Sequence, residues 1–96
     1  MKKRILVFSD YFKPGFKAGG PIKSVFNLVS RLGSYFEILV VTRNFDFGDS
    51  TPYENIQCNK IINTSHFKTI YIDKVSFRNC LSIVTDYKPN IIHLNS

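Results

Sequence analysis

Gly19, Gly20 and Pro21, flanked by Lys17 and Lys23, have the types and spacing that suit chemistry on an anion. Paired glycines let a ligand approach the backbone closely. A helix start directly after them supplies unpaired N–H groups and a partial positive charge, which fit a phosphate or a carboxylate. Lys17 and Lys23 add screening of that anion, or stand as plain solvated lysines. Asp10, just before the loop, either orients a substrate hydroxyl or caps the loop backbone. His93 and Asn95 close the last apolar run of the chain. There His93 reads either as a core histidine or as part of a cleft wall. Asp46 and Asp49 lie among Gly48, Ser50, Thr51 and Pro52, where forming turns is a better use for them than ligating a metal or acting as an acid/base pair.

Two phosphate motifs are excluded. Gly15 and Gly20 have the separation of a P-loop, but Pro21-Ile22 stands where Lys-Ser/Thr is required. The dinucleotide fingerprint Gly-x-Gly-x-x-Gly is absent, and the loop is too long for its tight turn. The plain alternative is a flexible turn before a helix.

The elements that must position these residues follow from periodicity. Arg4–Ser9 is a short, almost wholly apolar strand. Pro21 to Leu32 is a helix, with proline favoured in its first turn and Ile22, Val25, Phe26, Val29 and Leu32 on one face. Gly33 is expected to end it in the left-handed conformation. Glu37–Thr42 is a second buried strand, and Lys60–Ile62 is an ambiguous short extra one. Lys68–Ile72 is a third strand. Ser76 caps a second helix with Phe77, Cys80, Leu81, Val84 and Tyr87 at helical spacing, and Pro89 ends it. Asn90–Asn95 is a fourth strand.

This alternation gives an α/β fold, a Rossmann-like doubly wound parallel sheet of about four strands in the order 3-2-1-4, with its two main helices on opposite faces. The strand order reverses between strands one and four. The glycine loop and the residues His93, Asn95 and Ser96 are therefore expected at one crevice.

Ninety-six residues make at most one small domain. Hydrophobic residues make up 44% of the chain, which argues for a folded core. No apolar run approaches the ~20 residues that cross a bilayer. Met1-Lys-Lys-Arg4 is like a signal-peptide start, but the apolar run behind it is too short and Asp10 follows at once. Cys58 and Cys80 lack metal or redox spacing and read as reduced, partly buried thiols of a cytoplasmic protein. The formal charge of +6 suits a nucleic acid, an anionic membrane surface or a phosphorylated substrate. The basic residues are scattered along the chain and carry no stacking signature, so nucleic acid is not expected as a partner.

One family joins these motifs. The first strand, an aromatic-proline loop and Ala18-Gly-Gly-Pro-Ile-Lys-Ser-Val25 resemble the N-terminus of GT-B-fold glycosyltransferases of the retaining family 4 type. Lys88-Pro-Asn-Ile-Ile-His-Leu-Asn-Ser96 resembles that family's later strand, K-P-D-[IV]-[IV]-H-x-H. The two motifs occur in the right order and span nearly the whole chain. The resemblance implies sugar transfer from a nucleotide-sugar to a glycan or lipid-linked acceptor, as in polysaccharide biosynthesis. Gly19 and Gly20 would approach the donor diphosphate, and Asp10, Lys17, Lys23, His93 and Asn95 are candidates for lining the cleft.

At position 95 an asparagine stands where the family often has its second histidine, so no imidazole acts there. The donor-binding motifs of the family belong to a second domain, and no catalytic residue carries over to this chain. The expectation is a truncated N-terminal GT-B domain, inactive alone, with no cofactor and no metal. It would be cytoplasmic, with peripheral contact at the inner face of the membrane, and would self-associate, either by pairing of its exposed last strand or through apolar faces that further segments of the family's domain would cover. The competing reading is a small flavodoxin-like module that binds an anion or a partner without catalysis.

Overall fold

The computed structural model describes residues 2–95; Ser96, expected beside the glycine loop, lies outside them. The elements are β1 (Arg4–Ser9), α1 (Gly20–Leu32), β2 (Glu37–Arg43), β3 (Ile61–Asn63), β4 (Lys68–Ile72), α2 (Phe77–Tyr87) and β5 (Ile91–Asn95). They form an α/β structure around one sheet with the order β3-β4-β2-β1-β5. β1 pairs in parallel with β2 and with β5, and β2 in parallel with β4. β3 is antiparallel to β4.

The expected four-stranded parallel sheet of order 3-2-1-4 is thus corrected to a five-stranded mixed one. The reason is local. After β3 the chain turns at Thr64, whose amide and hydroxyl both donate to the Phe67 carbonyl, at 2.9 and 2.6 Å. That turn folds Ile61–Asn63 back onto the outer edge of β4.

Alternation along the strands divides the interior into two layers. Ile5 and Val7 of β1 with Ile38 and Val40 of β2 pack against Val25 and Val29 of α1, together with Phe12 and Phe67. Leu6, Leu39, Val41 and Ile72 point the other way, against Tyr87, Ile83 and Val84 of α2. Both faces of β1 and β2 are covered, which explains their unbroken apolar runs.

Helix α1 starts at Gly20, one residue earlier than expected, with Pro21 in its first turn. Its end corrects a second expectation: Gly33 is right-handed (φ −60°, ψ −22°), not left-handed. A side chain there would collide with the His66 backbone, so the glycine is required for space and not for torsion. For α2, Ser76 Oγ accepts from the Asn79 amide at 3.2 Å, and Lys88 (φ 53°) supplies the left-handed cap before Pro89. Among the described residues, no helix is long and apolar enough to cross a membrane.

Candidate functional site

The C-terminal ends of β1 and β5 meet where the order of the parallel strands reverses, with Ser9 opposite Asn95. In open α/β sheets that position leaves a crevice outside the strand tips. Here a cavity of about 290 Å³ opens there, lined by Ser9, Asp10, Tyr11, Lys17, Ala18, Pro21, Phe47 and Asn95. A second, of about 200 Å³, shares Ser9, Asp10 and Asn95 and continues between β1, β2 and α2 over Phe8, Val41 and Ile72.

The loop that forms one wall is held from several sides. Phe12 is buried and meets Phe67 edge-on, with ring centroids 5.7 Å apart. The Tyr53 hydroxyl donates to the Phe12 carbonyl at 3.3 Å, and the Tyr71 hydroxyl donates to the Lys13 carbonyl. Burial pushes both phenols up to about 12, which keeps them protonated as donors.

Asp46 adds the strongest tie. Its carboxylate, only 5% exposed, accepts from the amides of Phe16 (3.0 Å), Lys17 (3.2 Å) and its neighbour Phe47 (2.8 Å). Burial pushes this carboxyl up, but the three amides outweigh it and hold the group below its ordinary value. The residues preceding Gly19 are therefore tethered at both backbone and side chain, which is more than a free turn provides. Asp46 does help form a turn, since Asp49 N donates back to its carbonyl at 3.0 Å. Its side chain has the second task of clamping the glycine loop.

The sequence-derived candidates separate into two groups. Asp10, Lys17 and Asn95 line the 290 Å³ cavity together. Two of these three are engaged: Lys17 Nζ donates to Asp49 Oδ1 at 2.7 Å, and Asp10 Oδ1 lies 3.7 Å from Arg43 Nη2. The Asp49 hydrogen bond, opposed by desolvation, raises the Lys17 ammonium above its ordinary value. Gly19 and Gly20 are exposed beside Ala18 and Pro21, and a side chain at either would meet nothing within 4 Å. Gly19 has φ 74°, the left-handed region that favours glycine.

Not all the amides expected at this corner point outward. Gly19 N donates to the Phe16 carbonyl at 3.0 Å, Ile22 N returns to the Gly19 carbonyl at 3.1 Å, and Pro21 has no N–H. The helix start is a narrower donor set than its sequence implies.

Lys23 and His93 stand apart from the cavity. Lys23 is exposed on the first turn of α1. His93 is exposed rather than part of the core, and it lines a separate groove of about 120 Å³ with Leu28, Val29 and Ile91. It shares a strand face with Asn95 but lies one pleat further from the strand tip.

Arg43, Tyr11 and Phe47 are the wall residues that motif reasoning missed. The Arg43 guanidinium sits 5.9 Å over the Tyr11 ring, and Tyr11 meets Phe47 edge-on at 5.6 Å. The aromatic density of Tyr11, Phe45 and Phe47 is the one signal that pointed to them. Cys58 and Cys80 are free and partly buried, with Asn44 Nδ2 donating to Cys58 Sγ at 2.9 Å. Among the described residues, no three His, Cys, Asp or Glu side chains converge on a metal position.

The crevice therefore combines a carboxylate, a carboxamide, two cations and aromatic edges around a shallow opening. Such a set has the chemistry to suit hydroxyl-rich or anionic ligands, and no paired nucleophile and base is found in it among the described residues. No family model, no curated protein and no solved structure matches the chain.

Proposed function

We propose that this chain is a Rossmann-like N-terminal domain of a retaining GT-B glycosyltransferase of the family 4 type. In that role it forms one wall of the cleft in which a sugar passes from a nucleotide-sugar to a glycan or lipid-linked acceptor. One observation carries the reading: Ala18 and Pro21, which flank the Gly19–Gly20 pair at the start of α1, line one crevice with Asp10 and Asn95 at the reversal of strand order. Residues of the two resembling motifs meet there, although 62 residues separate the motifs in sequence. Gly20 is the glycine of the pair without a backbone partner inside its own turn, and it is the amide best able to meet a diphosphate oxygen. Asp10 and Asn95 face the side from which an acceptor hydroxyl would approach.

The test is a titration of uridine and guanosine diphosphates at millimolar concentration, followed by amide NMR. The signals of Gly20, Ile22 and Lys23 are expected to move first, as an anion at a helix start requires. Movement confined to Asp46–Asn55 would overturn the assignment. Residues 1–96 alone are expected to give no sugar transfer and no donor hydrolysis, because the family's donor motif finds no counterpart in them. The competing reading, an anion-binding module without chemistry, gains from the Lys17–Asp49 pair, which takes one cation away from a donor phosphate. Addition of a GT-B donor domain in trans separates the two, since only the first reading predicts that turnover appears.

Association follows from the same topology. β5 lies at a sheet edge with Ile91, Ile92 and Leu94 exposed, Leu94 to 74%. An edge without charge or proline invites pairing. Residues 1–96 are expected to sediment as a dimer or larger species at tens of micromolar, and Asn95→Pro, which removes one edge donor, is expected to weaken this. A monomer at that concentration would count against edge pairing.

A further inference from the structure

The basic residues that look scattered along the chain are gathered by the fold. Six of the 13 cations, Lys2, Lys3, Arg4, Arg31, Lys68 and Lys88, lie at the end of the sheet opposite the crevice. Contacts fix this placement. Lys2 Nζ donates to the Gly33 carbonyl after α1, Glu37 N to the Lys3 carbonyl, and Arg4 Nη1 to the Tyr87 carbonyl at the end of α2. Glu37 at the start of β2 pairs with both Arg4 (2.8 Å) and Lys68 (3.6 Å).

Only Glu37 and Asp86 of the seven acids share this end. The other five follow β1, β2 or β4 at the crevice end. The local charge is then +4 of the total +6, carried by fewer than half of the cations. Complementing the helix ends does not account for it. Two helix C-termini contribute about half a negative charge each, roughly one in all, which leaves about three positive charges uncompensated.

Tyr35 projects from the same end. It sits in the turn between α1 and β2, its amide bonded to the Leu32 carbonyl, with 72% of its surface exposed. An exposed amphipathic ring among lysines is the composition of a membrane-interface contact. Lys2, Arg4 and Lys68 line a cavity of about 450 Å³ at this end together with Glu37, whereas Lys3, Arg31 and Lys88 lie outside it on the exposed surface where the two helices end. A plane of negative charge fits that arrangement better than a polynucleotide backbone, which needs a track.

We infer that this end of the sheet docks on an anionic lipid bilayer, through Lys3, Arg31, Lys88 and the Tyr35 ring. The inference stands on charge and placement and does not depend on the glycosyltransferase reading. Docked this way, the chain keeps its crevice on the side away from the lipid, about one strand length or ~17–20 Å from the headgroups.

The test is co-sedimentation of residues 1–96 with vesicles of phosphatidylcholine containing about a third phosphatidylglycerol, against phosphatidylcholine alone. Each basic residue near an anionic surface contributes about fivefold in partitioning, so three uncompensated charges give about a hundredfold preference. High salt is expected to abolish the preference. The triple variant Lys3→Gln/Arg31→Gln/Lys88→Gln changes only exposed side chains and is expected to lose about a hundredfold. The variant Lys23→Gln/Lys74→Gln/Arg78→Gln removes the same net charge at the crevice end and is expected to retain binding. Tyr35→Ser is expected to weaken binding several-fold without changing its salt dependence. Equal losses in the two triple variants, no preference for the anionic vesicles, or tighter binding of a single-stranded oligonucleotide through the same three residues would each overturn the inference.

Discussion

Replacing Gly33 by alanine is expected to lower the thermal midpoint of residues 1–96 by about 10–20 °C. The added methyl would lie 2.8 Å from the His66 carbonyl carbon and 3.0 Å from its Cβ, and closer still to the carbonyl oxygen. Backbone cannot step aside as the tip of a flexible side chain does. The Thr64–Phe67 turn would have to move, and Phe67 at its end is wedged against Phe12 and Phe26 in the layer under α1. Overpacking of this kind costs about 1–3 kcal/mol and occasionally more. A domain of this size loses about 4–8 °C per kcal/mol, and it begins with only ~5–15 kcal/mol in total. Gly20→Ala is the matched control: its methyl meets nothing within 4 Å, and φ there needs no glycine. It is expected to shift the midpoint by less than about 5 °C in either direction. Equal midpoints for the two variants would show that the α1–β2 turn is not packed against His66.

The contrast between those two glycines marks what a sequence can disclose. The helices and the four parallel strands are legible because their apolar residues repeat at 3.6 or run unbroken, and burial on one stripe or on two faces leaves that imprint directly. β3 is not legible in the same way. It has three residues, Ile61 is exposed, and its pairing depends on a turn through Thr64 that only tertiary contact fixes.

Gly33 was visible as a helix stop, but the reason for it comes from His66, more than thirty residues away. Gly19 and Gly20 were visible through the pattern Gly-Gly-Pro before a helical stripe. The use of their neighbouring amides by Phe16 and Gly19 carbonyls was not. His93 was weighed as a core residue because it sits in an apolar run, but β5 is an edge strand whose faces are largely open. The charge segregation was equally hidden, since residues 2–4, 31, 68 and 88 become neighbours only through the parallel crossovers.

Asp46 is the residue on which the crevice loop depends most, and its replacement by alanine is expected to cost about 2–3 kcal/mol. The side chain is buried and serves three amides, two of them 29 and 30 residues away in the loop before Gly19. Removing it leaves those N–H groups without their acceptor in a site where water replaces it poorly, and charge-assisted bonds of this type contribute about 1.5–3 kcal/mol. Asp46→Asn keeps the shape and one carbonyl oxygen but turns an amino group toward donors, so about half of that loss is expected.

The pH dependence has a definite sign. The folded carboxyl titrates below its ordinary value of 3.8, so its contribution is complete well above that value and disappears as the pH falls through the lowered one. Urea unfolding of the wild type should therefore show stability flat between neutral pH and about pH 5 from this group, then falling below about pH 4. In Asp46→Asn that part of the acid dependence should be missing. The amide signals of Phe16 and Lys17 should shift in the variant at neutral pH, and in the wild type only at acid pH. If the alanine variant unfolds within about 0.5 kcal/mol of the wild type, within the ordinary range of a surface substitution, the carboxylate is not what holds the loop. The wall of the crevice would then have to be attributed to Phe12, Tyr53 and Tyr71 alone.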